Sequence, residues 1–218
     1  MKPDVVAPAT EMFSTRSSTA LPMGKGGTCV KNQSAFGGNY SLGPYYASCG
    51  GTSTSTPHVA GIAALIREYY IVHRNVPTPS AALIKATIIN SGVDMGYGMG
   101  SDETGWGRVN ISKVLPDSGF GLFFKEAKPG LTTNKQVNYT VSHKINGPFK
   151  ATLVWSDKEG SLGGSQSTKK LVNDLNLIIT SPSGVVYNGN DFIAPYDSNV
   201  DSKNNVEQVI IPNAEKGM

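Results

Sequence analysis

Five hydroxyl residues in a row, Thr52 to Thr56, stand in the stretch "GGTSTSTPHVAG" (residues 50–61), which runs straight into an apolar helical pattern. A helix N-terminus leaves backbone N–H groups without partners and carries partial positive charge. A serine at that end can attack a carbonyl carbon while nearby N–H groups hold the developing oxyanion. Gly50 and Gly51 allow a substrate strand to approach closely, and Pro57 is tolerated because it lies in the first turn. These arguments favour a reactive hydroxyl without choosing among Thr52, Ser53, Thr54 and Ser55. The plain alternative is a loop that only caps a helix. A base for the hydroxyl is harder to find. His58 lies five positions after Ser53, which on a helix is about 7.5 Å of rise and ~140° of rotation. The two cannot address one substrate atom at hydrogen-bond range, and His58 is expected to pack near the helix start. His73 falls near the end of the same helix and His143 on a later strand. Asp4 reads as a structural hydrogen-bonder, and Asp94, Asp102 and Glu103 as solvated charges in Gly-rich loops.

These residues need elements to hold them. Up to about residue 117, short apolar strands alternate with helical patterns and Gly-rich loops. "DVVAP" predicts a short buried strand stopped by Pro8, and residues 10–50 read as a long surface excursion. From Thr56 to Tyr70, Val59, Ile62, Ala63 and Ile66 form one helical face. Ala60, Ala64 and Leu65 widen it, which predicts a helix buried nearly all round. Gly61, mid-helix, costs ~1 kcal/mol relative to Ala and is expected to mark close approach by another backbone. "TPSAALIKATIINSG" predicts a second helix with Thr78 or Ser80 as cap and Gly92 as stop. "GWGRVNISKVL" reads as a turn, a short strand and a helical turn, with Trp106 as a core or interface ring. After Pro116 the helical period gives way to alternation in Val137, Tyr139 and Val141, in Phe149, Ala151, Leu153 and Trp155, and in Leu175, Leu177 and Ile179. "SPSG" and "NGN" are turn signals. Residues 118–218 therefore read as an all-β sandwich, incomplete at "IIPNAEKGM", with Phe123 and Phe124 fastening the two halves. No internal repeat is visible.

"GTSTSTPHVAG" resembles the nucleophile motif of subtilisin-like serine proteases, G-T-S-x-[AS]-[ST]-P-H-[VI]-[AS]-G. "KPDVVAPA" is similar to the family's K-P-[DE]-[VIL]-x-A-P-G, with Ala9 replacing Gly, and "GWGRVN" resembles its G-x-G-x-[VI]-[DN]. The three stand in family order. The resemblance implies that Ser53 is the nucleophile of a peptide-bond hydrolase working through an acyl-enzyme, with its own N–H as one oxyanion donor and Thr52 beside it. The second half, with "LVWSD", "LVNDLNL" and "GND", resembles the jelly-roll domain that follows the catalytic domain in some subtilases. The fold implied is the C-terminal portion of an α/β parallel-sheet domain over residues 1–117, followed by an incomplete jelly-roll β-sandwich over 118–218. In the family the Asp, His and oxyanion Asn segments all precede "KPDVVAP", where here only Met1 stands. The resemblance thus implies a fragment, inactive alone, whose partners are a peptide or protein substrate and the upstream part of the same protease. The competing class is a non-catalytic protease-derived segment whose β-sandwich binds protein or glycan. The chemistry requires no cofactor. A structural calcium ion is the one expectation the jelly-roll resemblance adds, with Asp157, Asp174, Asp191 and Asn173 as hard oxygen donors and Asp174 and Asp191 the chosen ligands. Turn hydrogen bonds are the alternative use of these carboxylates.

Composition sets the remaining bounds. The 218 residues are 39% hydrophobic and 16% charged with a net charge of +3, enough for a real core. The basic residues are spread without a run, so nothing points to nucleic acid and no nucleic-acid partner is expected. No apolar stretch approaches ~18 residues, so no membrane span is expected, and "MKPDVVAPAT" holds no apolar signal core. Cys29 and Cys49 are the two cysteines. A disulfide between them would close the Gly-rich excursion just before Ser53 and contribute roughly 3 kcal/mol in the chain-entropy model; the alternative is two free buried thiols. Sequons at Asn32, Asn39, Asn110 and Asn138 permit an extracellular or secreted protein, which is the localisation expected.

Overall fold

The structure is a computed structural model that describes residues 2–15, 29–30, 32–33, 40–41, 45–114, 121–164, 168–196 and 200–217. By contact the chain forms two compact units, Val6–Ala64 and Met1–Val5 with Leu65–Met218. Within Val6–Ala64, strands β1 (Met12–Thr15), β2 (Cys29–Val30), β3 (Asn32–Gln33), β4 (Tyr40–Ser41) and β5 (Tyr46–Cys49) precede helix α1 (Thr52–His73). A three-stranded antiparallel sheet has the order β1-β5-β2, and β3 pairs with β4. The predicted strand at "DVVAP" is reduced to a single bridge at Val6. Pro3 and Pro8 bracket it, and neither has an N–H to give to a ladder.

The larger unit holds α2 (Ala81–Asn90), a 3-10 turn at Ile111–Lys113, and strands β6 (Gly147–Val154), β7 (Ile178–Thr180), β8 (Val186–Asn188) and β9 (Val206–Ala214). Ser80 caps α2 as predicted, its side chain accepting from the Leu83 N–H at 3.1 Å, and the Glu126 carboxylate accepts from the Ser80 N–H at 3.0 Å. At the other end β6 reaches across to α2. Lys150 Nζ donates to the Gly92 carbonyl at 2.7 Å, and Thr152 Oγ1 donates to Asn90 Oδ1 at 2.9 Å. A cation at a helix C-terminus meets the negative end of the dipole. β6 pairs antiparallel with β9, and β7 with β8 across the predicted "SPSG" turn. One core cluster is formed by Ile89, Trp106 and Val206, against which Val5, Met99 and Val154 pack. Phe124 meets Tyr70 edge-on at 4.9 Å and lies under the Arg74 guanidinium at 4.8 Å, whereas Phe123 is exposed.

The fold is thus mixed, with two helices and small antiparallel sheets. Neither the expected parallel sheet nor a jelly roll is present among the described residues; every named pairing is antiparallel and joins two or three strands. Val137, Tyr139 and Val141 alternate as a strand would, yet form none. Val137 and Tyr139 are exposed, and alternation does not make a strand unless another strand pairs with it. The prediction of an α1 buried all round also fails. Leu65 is 53% exposed, and a Cβ added at Gly61 would meet nothing within 4 Å. Among the described residues no helix is long and apolar enough to cross a membrane.

Candidate active site

The hydroxyl run forms the first turn of α1, four residues earlier than the apolar period alone predicts. Gly51 immediately precedes it with φ +122°, a conformation that side chains disfavour. Its N–H donates to the Ala9 carbonyl at 2.8 Å, and its own carbonyl accepts from the Thr54 N–H at 2.9 Å. The Thr54 hydroxyl lies 2.6 Å from the Gly51 carbonyl and 3.1 Å from that of Ala9. Ser55 Oγ donates to the Ala7 carbonyl at 3.0 Å, and Thr56 Oγ1 to Thr52 at 3.0 Å. The "VAPA" segment and the hydroxyl run are therefore stitched together by main-chain carbonyls on one side and hydroxyl or amide protons on the other. Thr52 and Ser53 are exposed. The arrangement presents a serine at the positive end of a helix, where a nucleophile and an oxyanion donor belong together. His58 is exposed rather than packed, and the helical separation keeps it from Ser53.

Strand pairing sets Cys29 opposite Cys49 on β2 and β5, and Cys49 is disulfide-bonded. The side chain of Cys29 lies outside the described residues. Cys49 ends β5 three residues before α1 begins, so a tie there holds the approach to the hydroxyl run.

The third motif has a structural task in the larger unit. Gly105 (φ +57°) and Gly107 (φ +91°) flank Trp106, and a Cβ on either would fall within 2.3 Å of a backbone carbonyl, of Pro3 and Val93 respectively. These two glycines let the chain thread between neighbours while Trp106 fills the core at 1% exposure. The Trp106 N–H donates to the Asp4 carbonyl at 3.0 Å. The Asp4 side chain pairs with Lys2 and Lys85 at 2.6 and 3.1 Å. Burial works against its charge, but the two lysines outweigh it and hold the carboxyl below its usual range. The predicted short strand in "GWGRVN" is a single bridge between Val93 and Arg108.

Asp174 pairs with Lys169 at 2.8 Å, and Asp191 Oδ1 accepts from the Ile193 N–H at 3.3 Å. Asp157 accepts the Val172 and Asn173 amides and the Asn173 side chain, in the manner of a turn. Among the described residues no three His, Cys, Asp or Glu side chains stand together as a metal-ligand group. Sequence reasoning passed over Glu207. It is 1% exposed on β9, accepts from the Leu177 N–H through Oε2, and has no partner for Oε1 among the described residues. Burial first, then the charges of Asp201 and Asp174, push its carboxyl up to about 7. A lone Glu inside "VEQVII" was the available signal.

Residues 1–107 match the subtilase family. The chain is 35% identical over 51% of its length to an extracellular serine protease of Serratia marcescens. It is 28% and 26% identical, over 100% and 96% of its length, to two Dictyostelium discoideum proteins named serine protease/ABC transporter B family proteins tagA and tagD. The chain spans only 10–14% of the length of these three relatives.

Proposed function

From the premise that residues 1–107 are a domain of the subtilase family of serine proteases, we propose that Ser53 is the nucleophile of a serine endopeptidase. Its hydroxyl attacks the scissile carbonyl, a histidine takes the proton, the amine leaves, and water releases the acyl group from Ser53. The Ser53 N–H is one donor to the tetrahedral oxyanion. The histidine, its aspartate and the second donor come from sequence preceding residue 1 in a longer protein, a reading supported by the length of the relatives. On this reading residues 1–117 are the C-terminal part of a subtilase catalytic domain, and residues 118–218 are a second part that follows it.

The observation that carries the proposal is the exposed Ser53 on a first helical turn whose neighbours are bonded to the "VAPA" segment. In protein that includes the preceding sequence, Ser53→Ala abolishes peptidase activity and labelling by a fluorophosphonate, while Thr54→Ala and Ser55→Ala retain measurable turnover. The loss expected is about a millionfold in kcat, the magnitude measured for the corresponding loss in subtilisin. Residues 1–218 alone do not hydrolyse casein; turnover by them that depends on Ser53 would reveal a base within these residues and overturn the division of the machinery.

The protein acts outside the cell, as the Serratia relative's name suggests, and Cys29 pairs with Cys49. Thiol counting on denatured, unreduced protein is expected to find no free thiol; two would remove both statements.

A further inference from the structure

Gly51 and Thr54 enclose the dipeptide that carries Ser53, and four contacts join them to each other and to Ala9. The Ala9 carbonyl receives the Gly51 N–H at 2.8 Å and lies 3.1 Å from the Thr54 hydroxyl. The Gly51 carbonyl receives the Thr54 N–H at 2.9 Å and lies 2.6 Å from the same hydroxyl. A threonine hydroxyl has one proton to give, so the two carbonyls share it, with the larger part on Gly51. A Cβ on Gly51 would meet nothing within 4 Å, its φ of +122° is one that side chains disfavour, and both its N–H and its carbonyl are hydrogen-bonded. Ser53 itself is exposed. The position of its oxygen is therefore set by the backbone on either side.

We propose that Thr54 is a positioning residue for Ser53, holding the nucleophile's turn against Ala9 through its side-chain hydroxyl. This rests on the reading of Ser53 as nucleophile. Thr54 touches no reacting atom; it fixes the carbonyl of Gly51 and so the path of the backbone entering Thr52 and Ser53. The rate of attack is steeply sensitive to such placement, about a hundredfold for an ångström. Ser55, bonded to Ala7, anchors the residue after the clasp, and Thr56 bonds back into its own helix, to Thr52.

The test uses the longer protein, with active sites counted by fluorophosphonate burst so that misfolded molecules are left out of the rate. Thr54→Val keeps the shape and removes the proton. It is expected to lower kcat per titrated site roughly ten- to a hundredfold with KM changed less than about threefold, and Thr54→Ser is expected to restore most of the rate. A Thr54→Val enzyme that turns over at the wild-type rate per site, or a Thr54→Ser enzyme as slow as Thr54→Val, overturns the positioning role while Ser53→Ala remains dead. An active Ser53→Ala enzyme overturns the nucleophile itself, and the positioning role with it.

Discussion

Helix α1 has 22 residues and buries three of them, Ile66, Tyr69 and Tyr70; α2 has ten and buries four, Leu83, Thr87, Ile88 and Ile89. Both sequences are apolar enough to ask for cover. α2 receives it from β6, whose Lys150 and Thr152 also close its C-terminal end, and from Gln208 on β9, which reaches the Ile89 carbonyl at 3.5 Å. The first turns of α1 are instead held at their N-terminal end, by carbonyls of Ala7, Ala9 and Gly51. α2 is fixed along its length as part of a core, whereas α1 buries Ile66, Tyr69 and Tyr70 in its later turns and is held at its start by its own first turn. A periodic apolar stripe states a demand for burial, and only the partners within reach decide whether the demand is met.

Cutting into the two helices separates these situations. Ile89→Ala, in the core with Trp106 and Val206, is expected to destabilise the larger unit by about 2–5 kcal/mol. The equivalent change on α1, Leu65→Ala at a 53% exposed position, is expected to stay within about 0.5 kcal/mol. Denaturant midpoints of the two variants measure the contrast, and equal losses would show that the exposed face of α1 is covered after all.

Glu207 sharpens the same contrast from the buried side. In the folded chain it holds its proton up to about pH 7, against an ordinary value of 4.5. Between those values the unfolded chain has released the proton and the folded chain has not. Stability is therefore unaffected by this group below about pH 4.5, falls as pH rises toward 7, and levels off above it, by about 3 kcal/mol in all. Glu207→Gln removes the titration and is expected to flatten that slope, leaving the variant more stable than the parent at neutral pH. Thermal melts of both proteins from pH 4 to 8 read it, and parallel profiles would place Glu207 in contact with water or a cation.

The parts of the molecule legible in its sequence are those written locally. Ser80 followed by an apolar period announces α2 and its cap, and the "SPSG" turn announces the β7–β8 hairpin. Phe149 to Trp155 alternates and becomes β6, with Trp155 buried and its Nε1 donating to the Asn173 carbonyl. β9 was not legible, because Glu207 and Gln208 interrupt the pattern as polar residues and only tertiary packing buries them. The opposite error arises at Val137 to Val141, where the pattern is present and the partner is not. At the site, the residue types gave a reactive helix start without selecting an oxygen. Ser53 was singled out by family likeness, and the role of the threonine beside it by the carbonyls it reaches.

The core of the larger unit joins residues far apart in the order in which the chain is made. Val5 packs on the cluster that contains Val206, and the Asp4 carbonyl waits for the Trp106 amide. Two hundred residues separate Val5 from Val206, and at synthesis rates of about 5–20 residues per second the interval is roughly 10–40 s. During it α2 can form on its own capping signals and meet Trp106 and β6, but the part of its cover that Val206 supplies is still missing. This unit cannot complete the cluster around Ile89 and Trp106 before β9 has emerged.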